Sequence, residues 1–492
     1  MTQLYSSSAK LFSLLYSSNK SGRHQQQHQQ QQHNSSISSN TTHIAVITQK
    51  DGTVVTRCLN RRPLTSPTDS SISNSTSQSS KKQRCFAFLK FSGLRNRSSP
   101  LVAGPSSSPL PSCDILQRLP PEVIQLVLVY LDCASIATLS RTNRHMHAVC
   151  SDDGLWRTLL TRHFGARIKH PILPASDYYR HHSLLEKRWQ RGQAQARYMV
   201  GHTDSVYCIM RYDERYLVSG SRDHSIRIWD LATYTCVASR THHDGSVLCL
   251  KIQRDSGHHW MVSGSSDGTC VIWHSLPALV PVHRLRGHTN GVLDVCIVNE
   301  WIVSASRDGT VRVWDQLTAK EIRRLDGHGG PVNALQQIRG TSHVVSASGD
   351  GTLKVWNVDT GECLRTLVGH LRGLACAKYD PMAGRIFSGG QDALLKVWNA
   401  NTGDCKATLV GHDQLIRTVD CYGDRVITGS YDRTLKVWDA NTGQCLLNFQ
   451  NAHDSWIFNA LISPTQIISA GQDKRILVLD FGHDLHLGES SC

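Results

Sequence analysis

Residues 287–315 read GHTNGVLDVCIVNEWIVSASRDGTVRVWD. Four marks in this stretch, His288, Ser304, Asp308 and Trp314, recur along the chain. The leading histidines are His202, His243, His288, His328, His370, His412 and His453, separated by 41, 45, 40, 42, 42 and 41 residues. Self-similarity at a period near 40 signals stacked supersecondary units that bury a shared core between neighbours. Each copy has a turn aspartate: Asp223, Asp267, Asp308, Asp350, Asp392, Asp432 and Asp473. Four residues before it stands a hydroxyl, at Ser219, Ser263, Ser304, Ser346, Ser388, Thr428 and Ser469. Six residues after it stands Trp229, Trp273, Trp314, Trp356, Trp398 or Trp438, and in the last copy Leu479.

The spacing has a chemical reason. A buried indole N–H needs an acceptor, and a hydroxyl accepts it while donating onward. A neutral imidazole accepts that hydrogen bond on one nitrogen and donates from the other to the carboxylate. Partly satisfied chains of this kind are costly, so the four residue types stand or fall together. Ser, His and Asp also make hydrolase triads, but a triad occurs once and needs an oxyanion hole. Between the marks lie short runs of Val, Ile, Cys and Trp broken by Ser-Gly, Asp-Gly and Thr-Gly, which predict short buried strands. Four strands per period predict a propeller blade. The predicted fold class is thus an all-β seven-bladed propeller over residues 193–482, with a tail at 483–492. The last copy lacks an outer strand of its own. Residues 194–200 are expected to supply it and to leave no sheet edge open.

These copies resemble the WD-repeat family over about 290 residues. The resemblance implies partner binding through the loops around the central channel, at the positions five after each His and one before each Asp. The first set is Tyr207, Leu248, Leu293, Asn333, Ala375, Arg417 and Phe458; the second is Arg222, Ser266, Arg307, Gly349, Gln391, Tyr431 and Gln472. Of these, Tyr207, Arg222, Arg307, Asn333, Arg417, Tyr431 and Phe458, with neighbouring Trp456, are the candidate cargo-binding residues. Aromatics and Arg from repeats 6, 7 and 1 make hot-spot chemistry. Arg residues in repeats 1, 3 and 6 leave two readings open, a phosphopeptide reader and a mixed aromatic–Arg groove.

Ahead of the repeats, Pro120 and Pro121 suit a helix start. Val123, Leu126, Val127, Tyr130 and Leu131 follow at helical spacing on one face. Asp132 and Thr142 are expected to cap two further helices, and Trp156, Leu159 and Leu160 mark a fourth. The letters Leu119-Pro120-x-Glu122-Val123, Tyr130-Leu131-Asp132, Leu139, Asn143-Arg144 and Leu155-Trp156 resemble the F-box family over residues 113–160. The resemblance implies docking on a Skp-type adaptor joined to a cullin–RING ubiquitin ligase, with Leu119, Pro120, Val123, Leu126, Leu131 and Leu139 as candidate adaptor contacts. Periodicity alone does not separate partner-facing residues from the module's own core. Residues 161–192 are expected to be a basic helical linker, helical from Tyr178 to Trp189.

The formal charge of +14 does not mark a nucleic-acid binder. Residues 1–112 hold 13 Lys/Arg against 2 Asp/Glu, and residues 157–198 carry +7, so the repeats are near neutral. Residues 1–112 are rich in Ser, Gln, Asn and Thr and are expected to form a disordered tail. The tail includes a weak nuclear-import patch at Lys81-Lys82-Gln83-Arg84, and Ser66, Ser99 and Ser108 each precede Pro. No run of 18 apolar residues is present. The 16 cysteines include no Cys-x-x-Cys pair. Cys208, Cys249 and Cys376 follow the repeat His by six residues, and Cys363, Cys405 and Cys445 end Thr-Gly-x-Cys. All six are read as small buried hydrophobes in a reducing cytosolic and/or nuclear setting.

Taken together, the two resemblances imply a non-catalytic substrate-recognition subunit of an SCF-type ubiquitin ligase. Its expected partners are a Skp-type adaptor, a cullin–RING ligase and a protein cargo. No cofactor, metal, specific nucleic acid or membrane is expected. The alternative is a non-degradative interaction scaffold.

Overall fold

The computed structural model describes residues 41–48, 54–59, 119–166, 172–255, 258–274 and 278–487. The basic patch at 81–84, the three Ser-Pro sites and residues 488–492 lie outside them. The chain divides into two compact units, one of residues 1–60 and 181–486, the other of 61–180 and 487–492.

In the first unit, repeats 1 to 5 each build one four-stranded antiparallel sheet with strands in chain order. The third repeat shows the pattern: Val292–Val298, Trp301–Ser306, Val311–Asp315 and Glu321–Leu325. The remaining strands share one ten-stranded sheet. It contains the four strands of repeat 6, from Ile416–Tyr422 to Cys445–Gln450, and the three strands of the last repeat. As expected, the outer strand of that last repeat comes from upstream. Gln195–Val200 pairs antiparallel with Arg475–Asp480 over six residue pairs. Met199, Val206, Ile209 and Trp229 form one core with Ile468, Ala470, Ile476 and Val478, which packs the last repeat against the first.

The links of the His to the Asp and to the hydroxyl are present in all seven repeats. The His Nδ1–Asp distances run from 2.6 to 3.0 Å and the His Nε2–hydroxyl distances from 2.7 to 2.8 Å. Each of the six indoles donates to its hydroxyl at 2.8 Å. In repeat 7 the buried Leu479 replaces the indole. Tyr198, from the upstream strand, instead sets its ring edge-on to His453 at 6.4 Å and donates its hydroxyl to the Ala452 carbonyl at 2.8 Å.

Three expectations are corrected. The tail was expected to lack structure throughout, yet Thr42–Thr48 and Val54–Cys58 form an antiparallel hairpin inside the ten-stranded sheet. Average composition hid this apolar run, whose pairing partners lie far downstream. Cys208, Cys249 and Cys376 are buried, but Cys363 and Cys405 are exposed, because they open outer strands facing solvent. The third helix of the other unit is capped by Asn143 rather than Thr142. The Asn143 side chain accepts from the Met146 N–H at 2.8 Å, while the Thr142 hydroxyl turns back to the Leu139 carbonyl.

That second unit contains helices Pro121–Leu128, Cys133–Leu139, Arg144–Cys150 and Asp153–Phe164. Asp132 caps the second helix as expected, accepting from the Ser135 N–H at 2.8 Å. The core is Ile124, Leu128, Ile136, Met146, Val149, Leu155, Leu159 and Leu160, joined by Tyr178 and Tyr179. These tyrosines open helix Ala175–Arg191. Its far end belongs to the repeat unit, where Trp189 stacks on Phe481 at 3.8 Å and Glu186 pairs with Arg425 at 2.6 Å.

The network can be tested by mutation and by pH. Ser304→Ala leaves the Trp314 N–H and the His288 ring without their partner and should destabilise by about 1–3 kcal/mol, read by denaturant melts; an unchanged midpoint would refute the network's role. Burial lowers the imidazoles of His288 and His412, only partly offset by Asp308 and Asp432. Burial by itself would raise the Asp432 carboxyl, but hydrogen bonds from His412 and Thr434 outweigh it and hold the group below its ordinary range. Both kinds of group therefore bind protons more readily in the unfolded chain, so their contribution is complete above their ordinary values of 6.5 and 3.8 and is lost as pH falls. The melting temperature should be level at neutral pH, decline below about 6.5 and decline again below about 4. A flat profile from about pH 7.5 to about pH 5 would contradict the histidine contribution.

Candidate functional site

Two separate surfaces carry the residues singled out by sequence. The first surrounds the channel of the repeat unit. In every repeat the ladder between the first two strands shifts register at one point, for example between Val292 and Asp294. The residues passed over are Tyr207, Leu248, Leu293, Asn333, Ala375, Arg417 and Phe458. These are the seven positions five after each His. A bulge inserts one unpaired residue and re-aims its side chain, and all seven line the same channel cavity.

The inner strands would otherwise leave backbone groups unpaired along the channel, and side chains of an adjacent repeat satisfy several of them. Asp294 accepts from the Leu335 N–H at 2.7 Å, and Asp420 from the Ile462 N–H at 3.0 Å. Asn333 donates to the Leu374 carbonyl at 2.6 Å and Arg417 to the Ala375 carbonyl at 3.2 Å. Asn333 and part of Arg417 therefore serve the sheet edges.

The aromatic candidates come together. Tyr431 and Trp456 stack with centroids 4.5 Å apart and planes 6° from parallel. Phe458 lies 6.0 Å from Tyr431 and 5.0 Å from Tyr207. Phe458 is 3% exposed and forms the buried floor, while Tyr207, Tyr431 and Trp456 are half-buried around it. Burial raises the Tyr207 phenol, and the charges of Arg222 and Arg417 partly offset that rise. Arg222 is exposed and sits 3.7 Å from Asp204. Arg307 is half-buried and belongs to repeat 3, away from the repeats that build this cluster.

Sequence reasoning missed four charged groups in the channel. Lys378 pairs with Asp420 at 2.8 Å. Burial lowers the Lys251 ammonium and pushes the Asp294 carboxyl up to about 6. The signal was a charge on an inner strand, eight residues after the repeat His for Lys251, Lys378 and Asp420.

The second surface lies on the small helical unit. Of the stripe read from periodicity, Val123, Leu126, Val127 and Tyr130 are 40%, 68%, 53% and 76% exposed. The core instead takes Ile124 and Leu128 from the same helix. Pro120 is exposed with the stripe. Leu119, Leu131 and Leu139 are only partly buried and pack against the unit's own core. Val127 and Tyr130, absent from the candidate contacts, extend the exposed face, and the Arg162 guanidinium lies 4.4 Å over the Tyr130 ring.

Among the described residues no group of three or more His, Cys, Asp or Glu is placed to hold a metal ion. No helix among them is long and apolar enough to cross a membrane.

Comparison with known proteins matches both parts of the chain to families. Residues 116–162 match the F-box-like family. Residues 194–230, 234–274, 279–315, 319–357, 361–399 and 403–439 match the WD domain, G-beta repeat family, in six copies. The chain thus belongs to the WD-repeat proteins of propeller-type fold that carry an F-box-like module. It is 26% identical over 151 residues to an F-box protein of Saccharomyces cerevisiae, covering 24% of this chain and 23% of that one. It is 24% identical over 156 residues to the "Probable E3 ubiquitin ligase complex SCF subunit sconB" of Arthroderma otae, covering 24% and 23%. It is 31% identical over 173 residues to the F-box and WD repeat domain-containing 11-A of Danio rerio, covering 28% and 30%. The matches span between 23% and 30% of the length of these relatives.

The two faces of the first helix should separate by mutation. Leu126→Glu should change stability by less than about 0.5 kcal/mol, whereas Ile124→Ala should cost about 2–5 kcal/mol, both read from thermal melts. Equal costs would place the stripe in the core.

Proposed function

We propose that this chain is the substrate-recognition subunit of an SCF-type ubiquitin ligase. The observation that carries the reading is the exposed apolar face of Val123, Leu126 and Val127 on the first helix of the F-box-like module, continued by Tyr130 in the turn after it. Exposed apolar residues grouped on one face mark an interaction site, and a Skp-type adaptor joined to a cullin is the partner that fits. Pro120, Val123 and Leu126 make the contact, with Leu119, Leu131 and Leu139 supporting it from the core side.

The repeats form a seven-bladed propeller, the seventh blade being the copy with Leu479. Its cargo surface is the channel mouth of repeats 6, 7 and 1. Two observations favour a mixed aromatic–Arg groove over a dedicated phosphate reader. Arg417 already serves the Ala375 carbonyl and Arg222 lies beside Asp204, while Tyr431 and Trp456 offer a flat stacked platform. The cargo presents an apolar or aromatic anchor to that platform and an acidic neighbour to Arg222. Catalysis is by proximity: holding cargo near a charged ubiquitin carrier raises its effective concentration.

Co-precipitation tests this with paired variants. Leu126→Glu with Tyr130→Ala should lose the Skp-type adaptor and cullin and retain cargo. Arg222→Ala with Tyr431→Ala should lose cargo and retain the adaptor. If the wild-type chain recovers repeat-bound proteins but never an adaptor or cullin, the non-degradative scaffold is correct instead.

A further inference from the structure

Neither resemblance accounts for the hairpin of residues 42–58. Its first strand pairs in parallel with the outer strand of repeat 6, Thr42 to Ala45 against Leu447 to Gln450. Its second strand pairs antiparallel with the upstream strand of the last repeat, Val54 against Ala196 and Val55 against Gln195. The hairpin therefore fuses two repeats into the ten-stranded sheet. Side chains reinforce the fit. Thr41 donates to the Cys445 carbonyl at 2.9 Å, and Thr56 both donates to the Ala194 carbonyl at 3.0 Å and accepts from the Ala194 N–H at 3.1 Å. Ile44, Ala45 and Val46 are buried, Ile44 completely. Gly192 is shaped for this neighbour. Its φ of +61° favours glycine, and a Cβ there would collide with the Ile44 side chain.

We infer that the outer edges of repeats 6 and 7 form a β-strand acceptor slot whose resident occupant is the hairpin 42–58. The occupant acts as a clasp that makes residues upstream of the F-box-like module part of the repeat unit. An open outer strand is a template for pairing with another chain, and the hairpin covers two such edges at once. Residues 61–180 are then an insertion between two segments of one folding unit, a chain organisation that matches the division into compact units. The inference does not depend on what the F-box-like module binds. It gives this stretch of the N-terminal region a function. Any event that removes residues before 60 also opens the edges beside the proposed cargo-binding repeats.

Hydrogen exchange on the full-length chain tests the docking. Amides in 44–46 and 54–55 should exchange roughly 100-fold or more slower than an unstructured chain; exchange at the unstructured rate overturns the inference. A second test places a protease site within residues 61–112 of the full-length chain. After cutting, the N-terminal fragment should co-elute with the remainder on gel filtration. Ile44→Asp should release it, while Ile47→Asp, on the exposed edge of the same strand, should not. Separation of the wild-type fragment after cutting overturns the clasp, and this arm decides even if Ile44→Asp fails to fold.

Discussion

A buried indole N–H in each of six repeats sets the terms for the rest of this structure. It must be satisfied inside a core that excludes water, and the acceptor in reach is the Ser or Thr hydroxyl of the neighbouring strand. That hydroxyl donates in turn to one nitrogen of an imidazole, which commits its second nitrogen to the turn Asp. The Asp also accepts the N–H of the residue following the His, as Thr289 shows at 3.1 Å. One chain of bonds thus ties the loop entering a repeat to the turn between its second and third strands. Those are the loops that surround the channel. Their positions are set by the core, and their exposed side chains are left to vary.

Repeat 7 shows how the chain works when one member is missing. Leu479 removes the donor, so Ser469 no longer has an indole to accept, yet His453 keeps both of its partners. The upstream Tyr198 places an aromatic ring beside that imidazole and satisfies its own hydroxyl on the backbone of the same loop. The weakest copy of the network therefore coincides with the sheet assembled from the most distant parts of the chain. There the missing contact is made good by pairing across sequence, through the six pairs of Gln195–Val200 with Arg475–Asp480 and then through the hairpin.

Sheet edges are managed differently on the two sides of each repeat. At the channel, the free edge of an inner strand is met by a carboxylate or amide from the preceding repeat or by a guanidinium from the following one. These polar groups sit inside the channel because they substitute for a missing strand, and burial accordingly raises Asp294. At the periphery, repeats 6 and 7 are joined by the added hairpin. The same constraint, that backbone polar groups away from water need partners, explains both the polar channel and the apolar hairpin. The helical unit follows a simpler rule. Ile124 and Leu128 complete its small core, and the other apolar side chains of that helix point out of it.

The repeat period, the four network residues and the positions beside them are local in sequence, and they alone determined the strand pattern, the core tryptophans and the ring of channel-facing residues. The candidate positions were legible because a fixed spacing from the His places each one on the bulge. What each of them does was not legible. Asn333 and Arg417 serve neighbouring backbone, because their partners lie about one repeat away and spacing carries no information on cross-repeat contacts. The stripe on the first helix was visible as periodic, but which half faces the core depends on how the other helices pack, so only tertiary structure assigned Ile124 inward and Leu126 outward. The hairpin was the furthest from view. Its strands are 7 and 5 residues long, set in a polar tail, and are stabilised by edges reached only when residues 138 and 404 positions later have folded beside them. What is periodic can be read from the chain alone; pairing between distant segments is settled by the fold, because the energy of burying Ile44 exists only once both edges are present.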